Sequence, residues 1–124
     1  MDTIIILGSM VMVCVYMMTL YFYNKSKQIE KNRSDIMIKA VTAFHQHKLN
    51  IAYNYFQKAY KLSLKSSDLE NTAESLYYMA LILKSNGKPD SAMEFLNESL
   101  HYYEKIGNEE GIEKIYSHIT EIKN

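Results

Sequence analysis

Residues 3–23 form a run of 21 positions without a charged side chain. At about 1.5 Å of helical rise per residue, the run spans roughly 30 Å, the thickness of a bilayer's hydrocarbon core. Beyond residue 35 the pattern changes. Apolar residues recur every three or four positions and do not alternate over a strand's length, which predicts helix throughout 35–124. Breaks are expected at 47–50, 66–71, 85–89 and 107–108, giving five helices with the apolar one included. Gly87 suits the left-handed position past a helix end, Pro89 a pre-set first turn, and Asp90 a charge that the helix dipole favours. Gly107 is the next stop, Asn108 the N-cap, and Glu109 with Glu110 the acidic first turn. Asp68 and Glu70 can open the middle helix similarly.

The uncharged run predicts a transmembrane anchor over residues 1–24. Lys25, Lys27, Lys31 and Arg33 follow it against one acid, Glu30, whereas the other flank offers Asp2 and the terminal amine. The positive side faces the cytoplasm. A single-pass topology is therefore expected, with the N-terminus out, a basic juxtamembrane linker at 25–34 and the helical domain of 35–124 on the cytoplasmic or stromal side. A cleaved secretory signal would need a basic start, a shorter apolar core and small residues before the cut. Lipid attachment at Cys14 would need smaller residues than Met12 and Val13 before it. A buried core helix would need more protein than 90 residues to cover it on all sides.

The helical part repeats at an offset of 40: Ala52 aligns with Ala92, Phe56 with Leu96, Leu62 with Tyr102, Lys65 with Lys105 and Asp68 with Asn108. Such a period predicts stacked helix pairs. The stripe Ala52-x-x-x-Phe56-x-x-Ala59, with Ala40 twelve residues before it, resembles the second helix of a tetratricopeptide repeat. Leu76, Met79, Ala80, Leu83, Gly87 and Ala92 resemble the same family's next unit. Lys39, Ala43 and Ser99 depart from the family pattern. The resemblance implies an all-α fold: a single transmembrane helix, then a right-handed α-solenoid of two helix pairs (repeats at about 35–65 and 70–105) and a capping helix (108–123). Ile112, Ile115, Tyr116, Ile119 and Ile122 are expected to form the cap's apolar face. The runs 56–59 and 65–69 also resemble thylakoid-anchored factors that assist photosystem I assembly in cyanobacteria and algal plastids.

Charge and composition remove other functions. Residues 35–124 hold ten Lys and twelve Asp plus Glu, so no basic nucleic-acid footprint exists. One cysteine supports neither a disulfide framework nor a cysteine-rich zinc site. His45 and His47, two apart, point to different sides of a helix end, and His101 and His118 are read as isolated surface residues. Glycine-rich phosphate loops, a serine elbow and paired catalytic carboxylates are not found. No enzyme activity and no cofactor is expected. The N-x-Ser triplets at Asn24, Asn32 and Asn97 lie away from the glycan-adding compartment in this topology.

The family resemblance implies a protein partner held along the first helices of the pairs. Transferred onto this chain, the groove positions are Met37, Val41, Phe44 and His45, then Glu74, Tyr77, Leu81 and Lys84, then Lys114, Ser117 and Glu121. Phe44 and Leu81 are equally readable as core. The Lys and Asn set with which chaperone-binding members hold a carboxylate is not reproduced, since Tyr77 and Leu81 occupy those positions. The expected role is a non-catalytic membrane adaptor for assembly or stability of a membrane complex, its partner a complex subunit or assembly intermediate, with the plastid thylakoid as one candidate membrane. The alternative is a membrane-anchored signalling or secretion-system module. Tyrosine-rich second helices also allow a homo-oligomer.

Overall fold

The computed structural model describes all 124 residues and contains five helices and no strand. These are α1 (Asp2–His45), α2 (Leu49–Lys65), α3 (Leu69–Ser85), α4 (Pro89–Ile106) and α5 (Glu109–Lys123). The chain divides into two compact units, Met1–Asn32 and Arg33–Asn124. In the first unit every residue is exposed, including the whole uncharged run. α1 is long and apolar enough to cross a membrane. Residues 25–34, expected as a linker, are helical, because Lys, Gln, Glu and Asn without Gly or Pro leave nothing to stop α1. Arg33 also departs from its expected place in a free basic flank. Its side chain is 16% exposed, with Nε 3.7 Å from Asp68 Oδ2, so it belongs to the second unit.

In that second unit the four helix junctions are built alike. Left-handed residues fall at His47 (φ 61°), Ser67 (φ 56°), Gly87 (φ 74°) and Gly107 (φ 69°), one every 20 positions. The next residue in each case sends its N–H back five positions: Lys48 to the Ala43 carbonyl, Asp68 to Ser63 and Lys88 to Leu83 at 2.9 Å, and Asn108 to Tyr103 at 3.0 Å. These are Schellman endings, which satisfy otherwise orphaned carbonyls. Asp68 and Asn108 then cap the following helix, their side chains accepting from the N–H of Asn71 and Gly111. Glycine has no Cβ to strain at a left-handed position. Ser67→Gly is therefore expected to stabilise the domain by about 0.5–1 kcal/mol. Urea denaturation followed by circular dichroism measures this, with Ser66→Gly, at a negative φ, as the control expected not to stabilise.

Side-chain contacts arrange the helices in two layers. The end of α1 meets α3 through Phe44 and Tyr78, whose ring centroids are 5.1 Å apart, and α3 meets α5 through Tyr77 and His118. On the other side α2 meets α4, where the Tyr60 hydroxyl donates to Glu98 Oε1 at 3.1 Å. Burial, then that bond to a carboxylate, pushes the Tyr60 phenol up to about 12. One buried cluster joins Met37, Ala40, Ala52, Phe56, Leu76 and Met79; a second joins Ala73, Ala80, Leu96, Tyr103, Ile115 and Ile119. The 40-residue alignment is visible in three dimensions: Ala52 and Ala92, and Phe56 and Leu96, are all at most 1% exposed.

Buried hydroxyls tie the layers together. Thr72 Oγ1 lies 2.8 Å from Ser63 Oγ, and Ser99 donates to the Ala73 carbonyl at 2.7 Å. Ser99 thus keeps the smallness of the position where it departs from the family and gains a partner on α3, so its burial leaves no polar group unpaired. In α5, Ile115 and Ile119 are buried while Ile112 and Ile122 are half-buried. Tyr116, expected on the same face, is exposed, because the burying stripe is narrower than the apolar one.

Candidate functional site

α3 carries Glu74, Tyr77, Leu81 and Lys84 at steps of three or four residues, which places them on one face. The opposite face of α3, with Ala73, Leu76, Met79, Ala80 and Leu83, is buried. The stripe is left half-exposed. Leu81 belongs to neither buried cluster and remains a half-exposed apolar side chain between Tyr77 and Lys84.

α5 closes one side of this stripe through a polar cluster. The Lys84 ammonium pairs with Glu121 and lies 3.4 Å from His118 Nδ1, and His118 Nε2 lies 3.0 Å from the Tyr77 hydroxyl. An ammonium only donates, so Nδ1 accepts, Nε2 carries the imidazole proton, and the Tyr77 oxygen accepts from it. Burial, then the nearby Lys84 charge, lowers the His118 pKa, which favours the neutral ring over the imidazolium. The hydrogen bond from Lys84 holds the Glu121 carboxyl below its ordinary value.

One turn toward the start of α5 the same face opens into a cavity of about 180 Å³. Glu70, Glu74, Tyr78 and Tyr103 line it from α3 and α4, and Glu110 and Lys114 from α5. Lys114 Nζ stays 3.6 Å from Glu110 Oε1. Gly111, also in the lining, is buried. A Cβ there would come within 2.5 Å of the Tyr103 ring, so only glycine lets α5 lie this close to α4. Burial, then the charge of Glu70, raises the Glu74 pKa, and burial raises that of Tyr103.

The residues expected in a partner groove are thus dispersed. Glu74, Tyr77 and Lys114 share the cavity, and Lys84 joins the polar cluster beside it. Ser117 is exposed on α5, its hydroxyl donating to the Lys114 carbonyl. Val41 and Phe44 are half-buried against the first cluster, and His45 is exposed at the end of α1. Met37 does not belong to any surface: it is 8% exposed, with the Ser75 hydroxyl directed at its sulfur. Its spacing to Ala40 places it on the buried stripe of α1. His118, read as an isolated surface residue, is half-buried among Tyr77, Lys84 and Glu121, because helix stacking joins positions far apart in the chain. A signal for it existed in the 40-residue offset, which aligns His118 with Tyr78 on the preceding first helix. Tyr103 and Gly111 gave no such signal, since their meeting depends on how closely α5 approaches.

A family model described as tetratricopeptide repeat matches residues 35–105, more than half of the chain. Comparison with curated proteins and with solved structures gave no match. Members of the matched family generally act as non-catalytic protein-interaction scaffolds. By the match over α1 to α4, the repeated junctions and the paired alanine stripes, the chain belongs to the tetratricopeptide repeat family.

Proposed function

We propose that this protein is a membrane-anchored adaptor that holds a protein partner on the α3–α5 face and assists assembly or stability of a membrane complex. The observation that carries the reading is the pairing of an exposed, uncharged helical run with a repeat domain whose α3 stripe stays half-exposed. In water such a run would be a large exposed apolar patch, whereas a bilayer covers it and its helical hydrogen bonds already satisfy the backbone. The basic flank after it favours an N-terminus-out topology with the repeats on the cytoplasmic or stromal side. Anchoring would confine the repeats to two dimensions and raise their effective concentration toward membrane clients.

The partner surface in this reading comprises Glu74, Tyr77, Leu81 and Lys84, flanked by Lys114 and Ser117, with Val41 and His45 at the far edge. Leu81 is the apolar anchor and the charged residues around it the rim. The resemblance of residues 56–59 and 65–69 to thylakoid assembly factors makes photosystem I the first client to test. Crosslinking and affinity capture from native membranes, comparing wild type with a Tyr77→Ala, Leu81→Ala variant, tests this function. The variant is expected to retain its helical content and to lose its client by about tenfold or more. Equal capture by both proteins would move the partner surface elsewhere, and capture of no specific client by wild type would remove the adaptor reading.

A further inference from the structure

The first helix pair carries an open groove between α1 and α2, lined by Ile38, Ile51 and Tyr55 with Lys39 and Lys48 beside them. Ile38 and Ile51 are 62% and 50% exposed. Neither lysine lies within ion-pair distance of an acid, so an apolar floor has an unbalanced positive rim. Lys39 is also a position that departs from the repeat pattern, since its equivalent 40 residues on is the buried Met79.

The next repeat shows what such a surface receives. Thr42, Ala43 and Lys48 align with Ile82, Leu83 and Lys88, which line a groove whose opposite wall is α2, through Asn50, Tyr53 and Asn54. A helix presenting a tyrosine therefore stands against it. The same spacing recurs in α5 as Glu113, Tyr116 and Ser117, with an acid in place of the first asparagine. Tyr116 is 51% exposed, and neither Glu113 nor Glu109, one turn before it, has a cation within ion-pair distance. Steps of four and three put Glu109, Glu113 and Tyr116 on one flank of α5, away from the flank of Lys114 and Glu121 that meets α3.

We propose that the α1–α2 groove receives α5 of a second copy of this chain, with Tyr116 entering beside Ile38 and Ile51 and the acids Glu109 and Glu113 meeting Lys39 and Lys48. The apolar side chains form the centre of the contact, and the opposite charges fix its register and exclude partners of the wrong sign. The two surfaces differ, so the contact is heterologous. Each added copy brings a free groove or a free α5 flank, and assembly proceeds past the dimer. The α3 stripe takes no part, so the inference stands apart from the adaptor reading.

Sedimentation equilibrium of full-length protein, with detergent micelles in excess, tests this. The mass of the wild type is expected to rise with concentration beyond that of a dimer. Lys39→Glu with Ile51→Asp alters the groove, and Glu113→Lys with Tyr116→Ala alters the α5 flank. All four positions are exposed, so the fold is retained, with circular dichroism as the check. Each variant alone is expected to associate about tenfold or more weakly than wild type. Mixed in equal amounts, the two should form a dimer and nothing larger, because one retains its α5 flank and the other its groove. Tyr77→Ala with Leu81→Ala should associate as wild type does, which separates this contact from client binding. A wild type that stays monomeric, or that is a dimer at every concentration, would overturn the proposal. So would variants that associate like wild type, or a mixture that remains monomeric.

Discussion

Phe56→Ala is expected to remove about 3–5 kcal/mol of folding stability, a large part of what a domain this small possesses. The ring is fully buried and stacks on Tyr78, with centroids 4.8 Å apart and planes 5° from parallel. Its buried neighbours on α2 are Ala52 and Ala59, and Ala40 stands in the same cluster. The methyl groups of these alanines cannot reach into the void, so the site collapses little and the loss belongs at the upper end of the range. Leu96→Ala, the repeat-equivalent change, is expected to cost about 2–5 kcal/mol. Ile51→Ala, next to Ala52 but half-exposed, should stay within about 1 kcal/mol. Chemical denaturation of the three variants, followed by circular dichroism, ranks them. A Phe56→Ala protein as stable as Ile51→Ala would mean that the two helix pairs do not stack through this cluster.

Val13→Arg with Met17→Arg should have an equally large effect on membrane association. Both residues lie inside the uncharged run and are exposed, so a bilayer would meet them directly. Each arginine costs about 2.5–3.5 kcal/mol near the centre of a membrane helix on insertion scales. Two together should shift the protein from the alkali-resistant membrane fraction to the soluble one. Val13→Leu should remain in the membrane fraction. Capture of a membrane client should fall along with membrane association, even with α3 and α5 unaltered, because the gain in local concentration is lost. Persistence of the double-arginine protein in the extracted membranes would show that residues 3–23 do not anchor it.

Local chemistry was enough to read most of the helical layout. Asp68, Gly87, Pro89, Gly107 and Asn108 act on their own neighbours within a turn, so their caps and stops are legible without a fold. His47 and Ser67 were harder: they take the left-handed conformation only because the junctions at residues 47 and 67 must close as the glycine ones do. Exposure was less legible than helix position. Met37 and Tyr116 both lie on apolar periodicities, yet one is buried and the other is not. Periodicity gives the direction of a stripe, and neighbouring helices decide which part of it they cover.

The candidate site divides along the same line. By itself the sequence determined five helices, a 40-residue period, an uncharged N-terminal run and the face of α3 that carries Glu74, Tyr77, Leu81 and Lys84, because each depends on spacing within one element. Tertiary structure alone decided that His118 and Glu121 clasp Tyr77 and Lys84, that Arg33 pairs with Asp68, and that Gly111 abuts Tyr103. These pairs are separated in the chain by a whole helix or more, except Gly111 and Tyr103, which a turn of the chain divides. Their meeting depends on the distance and angle at which helices pack, quantities set by the combined volumes of side chains on both partners rather than by either segment's own pattern.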